Sequence, residues 1–170
     1  MSSNLEAKII ICIPTFNEAK TISEIIQKSK KYANEVLVYD DGSKDDTCEV
    51  ATAAGATVNR NQENLGYGVT NRSLFQVAKE QSTDIMITLD SDGQHNPDQI
   101  PNLIEQIRQG FDIVFGSRFL RKSDKEKVPK FRSFGIRTIT KLTQTGASGK
   151  ITDSQSGFRA HSKNALSKIN

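Results

Sequence analysis

Four runs of apolar residues, each followed at once by a polar cluster, constrain this chain more than any other feature. Residues 8–13 (KIIICI), 35–39 (EVLVY), 84–89 (DIMITL) and 112–115 (DIVF) read as strands. The first is almost wholly apolar, as a strand buried on both faces must be. Helices read between the runs. Ile22, Ile25 and Ile26 give the first an apolar face, and Thr21 and Glu24 have the spacing of a capping box. Residues 45–54 form the second, with Gly55 as its left-handed stop, and 57–59 make a short strand. The Gly66-Tyr67-Gly68 loop reads as a tight turn opening a helix over 69–81. A helix over 97–109 has Asn96 as cap, Pro97 in its first turn and Gly110 past its end. Further on, 131–145 reads as helix, 151–153 as a short strand, and another helix starts at Asn164.

Strands alternating with helices predict an α/β fold: a mostly parallel sheet with helices on both faces. Residues 1–170 read as one domain, with a ligand-binding part over 1–118 and a second part over 119–170. Hydrophobic residues make up 35% and charged residues 25%, which suits a globular protein. No stretch approaches the roughly 18 apolar residues of a membrane span. The N-terminus lacks the basic and apolar regions of a signal peptide, so a cytoplasmic location is expected. Cys12 and Cys48 form no CxxC pair and read as reduced structural thiols.

In parallel sheets, ligands bind beyond the carboxyl ends of the strands. The polar clusters fall there: Pro14-Thr15-Phe16-Asn17-Glu18, Asp40-Asp41-Gly42-Ser43, Asp90-Ser91-Asp92-Gly93-Gln94-His95 and Gly116-Ser117-Arg118. Asp-x-Asp alone is equally a solvated acidic turn. At a strand end in line with three other polar clusters, Asp90 and Asp92 read as ligands of one hard cation, Mg²⁺ or Mn²⁺, with Gln94 adding an amide oxygen. Asp40 or Asp41 can accept hydrogen bonds from a nucleobase or ribose, while Ser43 and Asp46 have capping spacing. Phe16 can pack on a base and Glu18 can bond base or ribose, although the same residues would serve as a plain loop before a helix. Asn17 tolerates unusual backbone angles. Arg118 suits a diphosphate, because a planar guanidinium matches phosphate oxygens. In Asp153-Ser154-Gln155-Ser156-Gly157-Phe158-Arg159, Arg159 can hold an acceptor phosphate and Asp153 can orient an acceptor or act as base; an Asp–Arg pair pinning a loop is the plainer alternative. His95 reads either as a neighbour of the metal loop or as a solvent-facing residue.

The net charge is only +3, but Arg118, Arg121, Lys122, Lys125, Lys127, Lys130, Arg132 and Arg137 crowd one region against Asp124 and Glu126. Such a region suggests an anionic partner, or else simply a solvated loop.

PTFNE, DDGS, DSDGQH, GSRF and DSQSGFR, in this order, resemble family 2 glycosyltransferases of the GT-A fold, and among them the dolichyl-phosphate mannosyltransferase and polyprenyl-phosphate glycosyltransferase branch. The resemblance runs from Lys8 to Arg159. It implies a Rossmann-like nucleotide-diphospho-sugar transferase fold and metal-dependent, inverting transfer from a UDP- or GDP-sugar to a polyprenyl or dolichyl phosphate at the inner face of a membrane. It implies roles too. Pro14, Phe16, Glu18 and Asp40 or Asp41 would line the nucleoside pocket. Asp90, Ser91 and Asp92 would contact the nucleotide sugar, with Asp90, Asp92 and Gln94 around the metal and Asp92 central to catalysis. Arg118 and Arg132 would steady the diphosphate; Asp153, Ser156 and Arg159 would sit on the acceptor side. A homo-oligomer is compatible with this reading, and no nucleic acid is expected as a partner.

The chain departs from the pattern in three ways. Phe16 stands where the branch often has Tyr, and Gly93 where a larger apolar residue is common. Catalytic domains of the family usually continue further, so a C-terminally truncated domain is expected. If the acceptor were a sugar hydroxyl in glycan synthesis, Asp153 would be the base. A donor-binding fragment without turnover is the remaining alternative. A sugar nucleotidyltransferase lacks its glycine-rich signature here, and a phosphoacceptor receiver would leave Asp92 and the Ser-Gly-Phe-Arg run without purpose.

Overall fold

A computed structural model describes residues 7–116 and 156–169. The elements run β1 (Ile9–Thr15), α1 (Ile22–Ser29), a 3₁₀ turn (Lys30–Tyr32), β2 (Glu35–Asp40), α2 (Thr47–Ala53), β3 (Thr57–Arg60), α3 (Tyr67–Glu80), β4 (Ile85–Thr88), a 3₁₀ turn (Pro97–Gln99), α4 (Ile100–Arg108), β5 (Ile113–Phe115), β6 (Arg159–Ser162) and α5 (Lys163–Lys168). The described strands form one sheet in the order β3-β2-β1-β4-β6-β5. β1 pairs in parallel with β2 and β4, and β2 with β3; β6 is antiparallel to both β4 and β5.

The apolar run of β1 explains the layering. Side chains alternate between the faces of a strand. Ile9, Ile11 and Ile13 therefore join one core with Ile22, Ile25 and Ile26 of α1 and Ile100, Leu103, Ile104 and Ile107 of α4. Ile10 and Cys12 join the opposite core with Leu74 and Ala78 of α3 and Leu166 of α5. Full burial of an Ile is worth about 1.5–3 kcal/mol, so β1 anchors both layers. In α1 the buried positions recur at three and four residues, the period that turns one helix face inward. The 97–109 helix opens as expected: the Asn96 side chain accepts from Asp98 N–H at 3.0 Å and Pro97 follows. Its first turn is 3₁₀, however, and the α-helix starts at Ile100.

Two capping expectations fail, because the hydroxyls bond other groups. Thr21 makes no side-chain cap; its hydroxyl lies 2.7 Å from the Ser91 carbonyl and 3.0 Å from Glu18 Oε2, while Glu24 pairs with Lys28. Ser43 caps nothing: it donates to the Asp40 carboxylate and accepts from Asn17 N–H at 2.8 Å, and α2 begins after Asp46. β5 is not the neighbour of β4, because β6 lies between them. RAHS reads as polar, yet it supplies Ala160 to one core and His161 to the other face, packed edge-on to Phe75 at 5.0 Å. Burial, then the charge of Arg159, pushes the His161 imidazole down to about 4, so it fills space as a neutral ring. The helix read over 131–145 and the strand over 151–153 lie outside the described residues.

Register brings the site together. Thr15 is level with Asp40, and Asp41 N–H bonds the Thr15 carbonyl at 2.9 Å. On the other side Leu89 N–H bonds the Cys12 carbonyl at 3.0 Å. The clusters after β1, β2 and β4 therefore leave the sheet at one rim. Arg159 pairs with Thr88 in register, so the antiparallel β6 also begins at that rim. Among the described residues no helix is long and apolar enough to cross a membrane.

Candidate donor and metal site

A cavity of about 490 Å³ opens at this rim. Pro14, Thr15, Phe16, Glu18, Asp41, Asn64, Tyr67, Thr70, Asp90, Ser91, Asp92 and Gln94 line it. The loops after β1, β2, β3 and β4 and the start of α3 thus meet around one space.

The loops are tied to each other by side chains. Ser91, buried, donates its hydroxyl to the Pro14 carbonyl at 3.1 Å, and Thr21 reaches the Ser91 carbonyl. Glu18 N–H bonds Thr47 Oγ1 at 2.8 Å, and Lys44 N–H bonds Asn17 Oδ1 at 2.8 Å. Asn17 has φ 55°, the left-handed conformation that asparagine tolerates. Phe16 keeps an exposed ring at the cavity wall.

The two aspartates after β2 part company. Asp40 is fully buried: one oxygen accepts from Ser43, and the other lies 3.2 Å from Arg60, its register neighbour on β3. It does not line the cavity. Asp41 does, and its carboxylate organises the loop that follows β3. Oδ1 accepts from Asn61 Nδ2 at 2.8 Å and Leu65 N–H at 3.0 Å, and Oδ2 from Gly66 N–H at 2.8 Å. Burial alone would push this carboxyl up. Bonds from Leu65, Asn61, Gly66 and Thr70 outweigh it and hold the group below its ordinary range. The Gly66 loop is therefore structural, as read, with Gly66 at φ 92°, but it also carries residues the sequence reading passed over. Asn64, Tyr67 and Thr70 all face the cavity, and α3 starts at Tyr67. The Tyr67 phenol donates to Asp90 Oδ1 at 3.1 Å. A Tyr between two glycines beside a strand rim was the available signal.

Asp90, Asp92 and Gln94 offer hard oxygen donors to the same cavity. Asp92 Oδ1 accepts from Gln94 N–H at 2.9 Å, a tight local turn that leaves its other oxygen available. Among the described residues no group of three or more His, Cys, Asp and Glu could hold an ion by itself. The set fits a cation that takes its remaining ligands from phosphate and water, which is how Mg²⁺ is usually held.

On the far side of Asp90 comes the segment that opens β6. Ser156 is fully buried and its hydroxyl, 3.4 Å from His95 Nε2, also accepts from Phe158 N–H at 3.2 Å. It does not line the cavity. His95 is buried too, its ring tilted over Phe158 at 5.4 Å, so it is not the solvent-facing residue of one sequence reading. Arg159 lies at the rim end of β6 with its guanidinium 5.0 Å from the Phe115 ring centroid. Arg118, Arg132, Asp153 and the basic region lie outside the described residues.

A mostly parallel α/β sheet with Asp90 and Asp92 beside a cavity at one rim is the arrangement expected of a GT-A type of sugar-nucleotide fold. The family described as glycosyl transferase family 2 matches residues 10–169, and the chain belongs to that family. It is 35% identical over 165 residues to an uncharacterized protein of Methanocaldococcus jannaschii, covering 95% of this chain and 68% of that one. To the UDP-N-acetylglucosamine–dolichyl-phosphate N-acetylglucosaminyltransferase of Methanococcus voltae it is 30% identical, covering 93% and 70%. Among solved structures, glucosyl-3-phosphoglycerate synthase from Mycobacterium tuberculosis in complex with Mn²⁺, UDP-glucose and glycerol 3-phosphate superposes with a TM-score of 0.70 at 25% identity. That match covers 94% of this chain and 58% of the synthase. The chain thus spans about two thirds of these sequence relatives and little more than half of the solved relative.

Proposed function

We propose that the chain carries the donor-binding and catalytic groups of a metal-dependent, inverting glycosyltransferase that moves a sugar from a UDP- or GDP-sugar to a polyprenyl or dolichyl phosphate. The observation that carries this reading is the convergence of Phe16, Glu18, Asp41, Asp90 and Asp92 on one cavity. The dolichyl-phosphate relative supports the acceptor, and the UDP-glucose and Mn²⁺ complex of the structural relative supports the donor and the cation.

Pro14 and Phe16 would flank the base, and Glu18 and Asp41 would accept from base or ribose. Of the two aspartates after β2, Asp41 takes this role because it lines the cavity and Asp40 does not. Asp90, Asp92 and Gln94 would hold the cation, which when bound supplies positive charge to the leaving diphosphate. Arg118 and Arg132 would add to that charge. A lipid phosphate is already ionised, so the protein needs to position it rather than deprotonate it. Its oxygen would bond the anomeric carbon from the face opposite the breaking carbon–oxygen bond, which inverts that centre and releases the nucleoside diphosphate. Arg159, at the rim end of β6, would hold the acceptor phosphate, whereas buried Ser156 would act through packing. Asp153 would matter as a base only for a hydroxyl acceptor. Basic residues 118–137 would attract an anionic membrane surface.

A panel of labelled UDP- and GDP-hexoses, incubated with Mn²⁺ and dolichyl or undecaprenyl phosphate, tests the acceptor. Label is expected to enter the organic phase with one donor and to stay aqueous in EDTA. Label passing instead to a soluble hydroxyl acceptor would refute the lipid assignment.

A further inference from the structure

A side chain at Gly157 would run into the carboxylate of Asp90. A Cβ built on Gly157 would lie 2.4 Å from Asp90 Cγ and closer still to both carboxylate oxygens. Backbone conformation is not the reason for glycine here, because the φ of Gly157 is outside the positive range that disfavours side chains. Space is the reason.

The backbone at 157 cannot easily retreat, so a side chain there would turn the Asp90 carboxylate aside. The Gly157 carbonyl accepts from the Thr88 hydroxyl at 2.7 Å, the Ser156 hydroxyl holds Phe158 N–H, and the Phe158 side chain is fully buried. The backbone at 157 is thus pinned on both sides. Asp90 in turn is held from α3 by the Tyr67 phenol at 3.1 Å. Its carboxylate therefore occupies a slot between the bare Cα of Gly157 and the Tyr67 hydroxyl.

We propose that Gly157 is a positioning residue for Asp90: by lacking a side chain, it lets the start of β6 back the carboxylate and set its direction into the cavity. The proposal rests on the reading of Asp90 as a cation and donor ligand. It makes the divalent-cation site depend on the chain segment that returns through β6, and not only on the loop after β4. Surrounding groups of this kind change metal affinity by about 10–100-fold when they are altered.

Mn²⁺ binding in the presence of UDP, together with the thermal midpoint, is measured for the wild type, Gly157→Ala, Asp90→Ala and the double variant. Gly157→Ala is expected to weaken Mn²⁺ at least about tenfold and to lower the midpoint. In the Asp90→Ala background, where the obstructing atoms are gone, the same change is expected to leave Mn²⁺ binding unaltered and to keep or raise the midpoint, since Ala reduces the freedom of the unfolded chain. Unchanged Mn²⁺ affinity in Gly157→Ala, or equal losses in both backgrounds, would overturn the proposal. If Gly157→Ala alone does not fold, recovery of folding in the double variant supports it and failure of both overturns it. A wild type that binds no Mn²⁺ with UDP would instead remove the metal assignment, while the midpoints would still decide whether Gly157 and Asp90 are coupled.

Discussion

Asp92→Asn is expected to lower kcat/KM for metal-dependent sugar transfer by about 10³-fold, or about 4 kcal/mol of transition-state stabilisation. Asparagine keeps the Oδ1 that accepts Gln94 N–H, so the local turn after β4 can survive. What disappears is one negative charge at the cavity and, on the proposed reading, a hard ligand for the cation. Asp92 is exposed, so the fold has little stake in its charge. The signature is thus a collapse of turnover with a thermal midpoint close to that of the wild type. Raising Mn²⁺ would restore part of the rate, since affinity and not only charge is lost. Equal rates in the two proteins at low Mn²⁺ would remove Asp92 from the chemistry.

Asp41→Ala has the largest expected effect on stability, a loss of about 3 kcal/mol. The substitution strands the Asn61 amide and the Leu65 and Gly66 N–H groups, all of which converge on one buried carboxylate. These bonds shape the loop that presents Asn64 and Tyr67, so donor binding should fall with stability. Asp41→Asn separates charge from shape through pH. The folded-state carboxyl is held below its ordinary range, so its stabilisation is complete above about pH 4 and fades as the pH falls through the lower folded-state value. Urea unfolding between about pH 2 and 7 should therefore show a shallower acid limb for Asp41→Asn than for the wild type. Parallel acid limbs would mean that Asp41 is not the titrating group.

Much of this arrangement is legible in the residues, and the reasons are physical. A strand such as β1, apolar at every position from Ile9 to Ile13, has only one kind of place to go, between two helical layers. The same logic puts the polar clusters after β1, β2 and β4 at one rim. Local signals held where no tertiary partner competed: Asn96 caps, Asn17 takes a left-handed φ, and Gly55 and Gly110 end helices with positive φ. They failed at Thr21, whose hydroxyl reaches the Ser91 carbonyl, and at Ser43, whose hydroxyl accepts from Asn17 N–H. Nothing in the pair Asp40-Asp41 says which carboxylate turns inward; Arg60, paired with Asp40 in register on β3, holds the Asp40 carboxylate. β6 was illegible because antiparallel insertion between β4 and β5 leaves no periodicity in four residues. The resemblance implied an acceptor-side place for Ser156; its burial against His95 and Phe158, which comes from the packing of two distant segments, is not visible in the sequence. Tyr67 was missed since a glycine-flanked turn looks complete without its side chain.

Calorimetric titration of UDP and of GDP into the wild-type protein, once with Mn²⁺ and once with EDTA, is the most direct measurement of whether Asp90 and Asp92 share a cation with a bound diphosphate. One of the two nucleotides should bind at least about tenfold more tightly with Mn²⁺, and Asp92→Asn should erase the difference. Equal affinity in Mn²⁺ and EDTA, for both nucleotides, would contradict it.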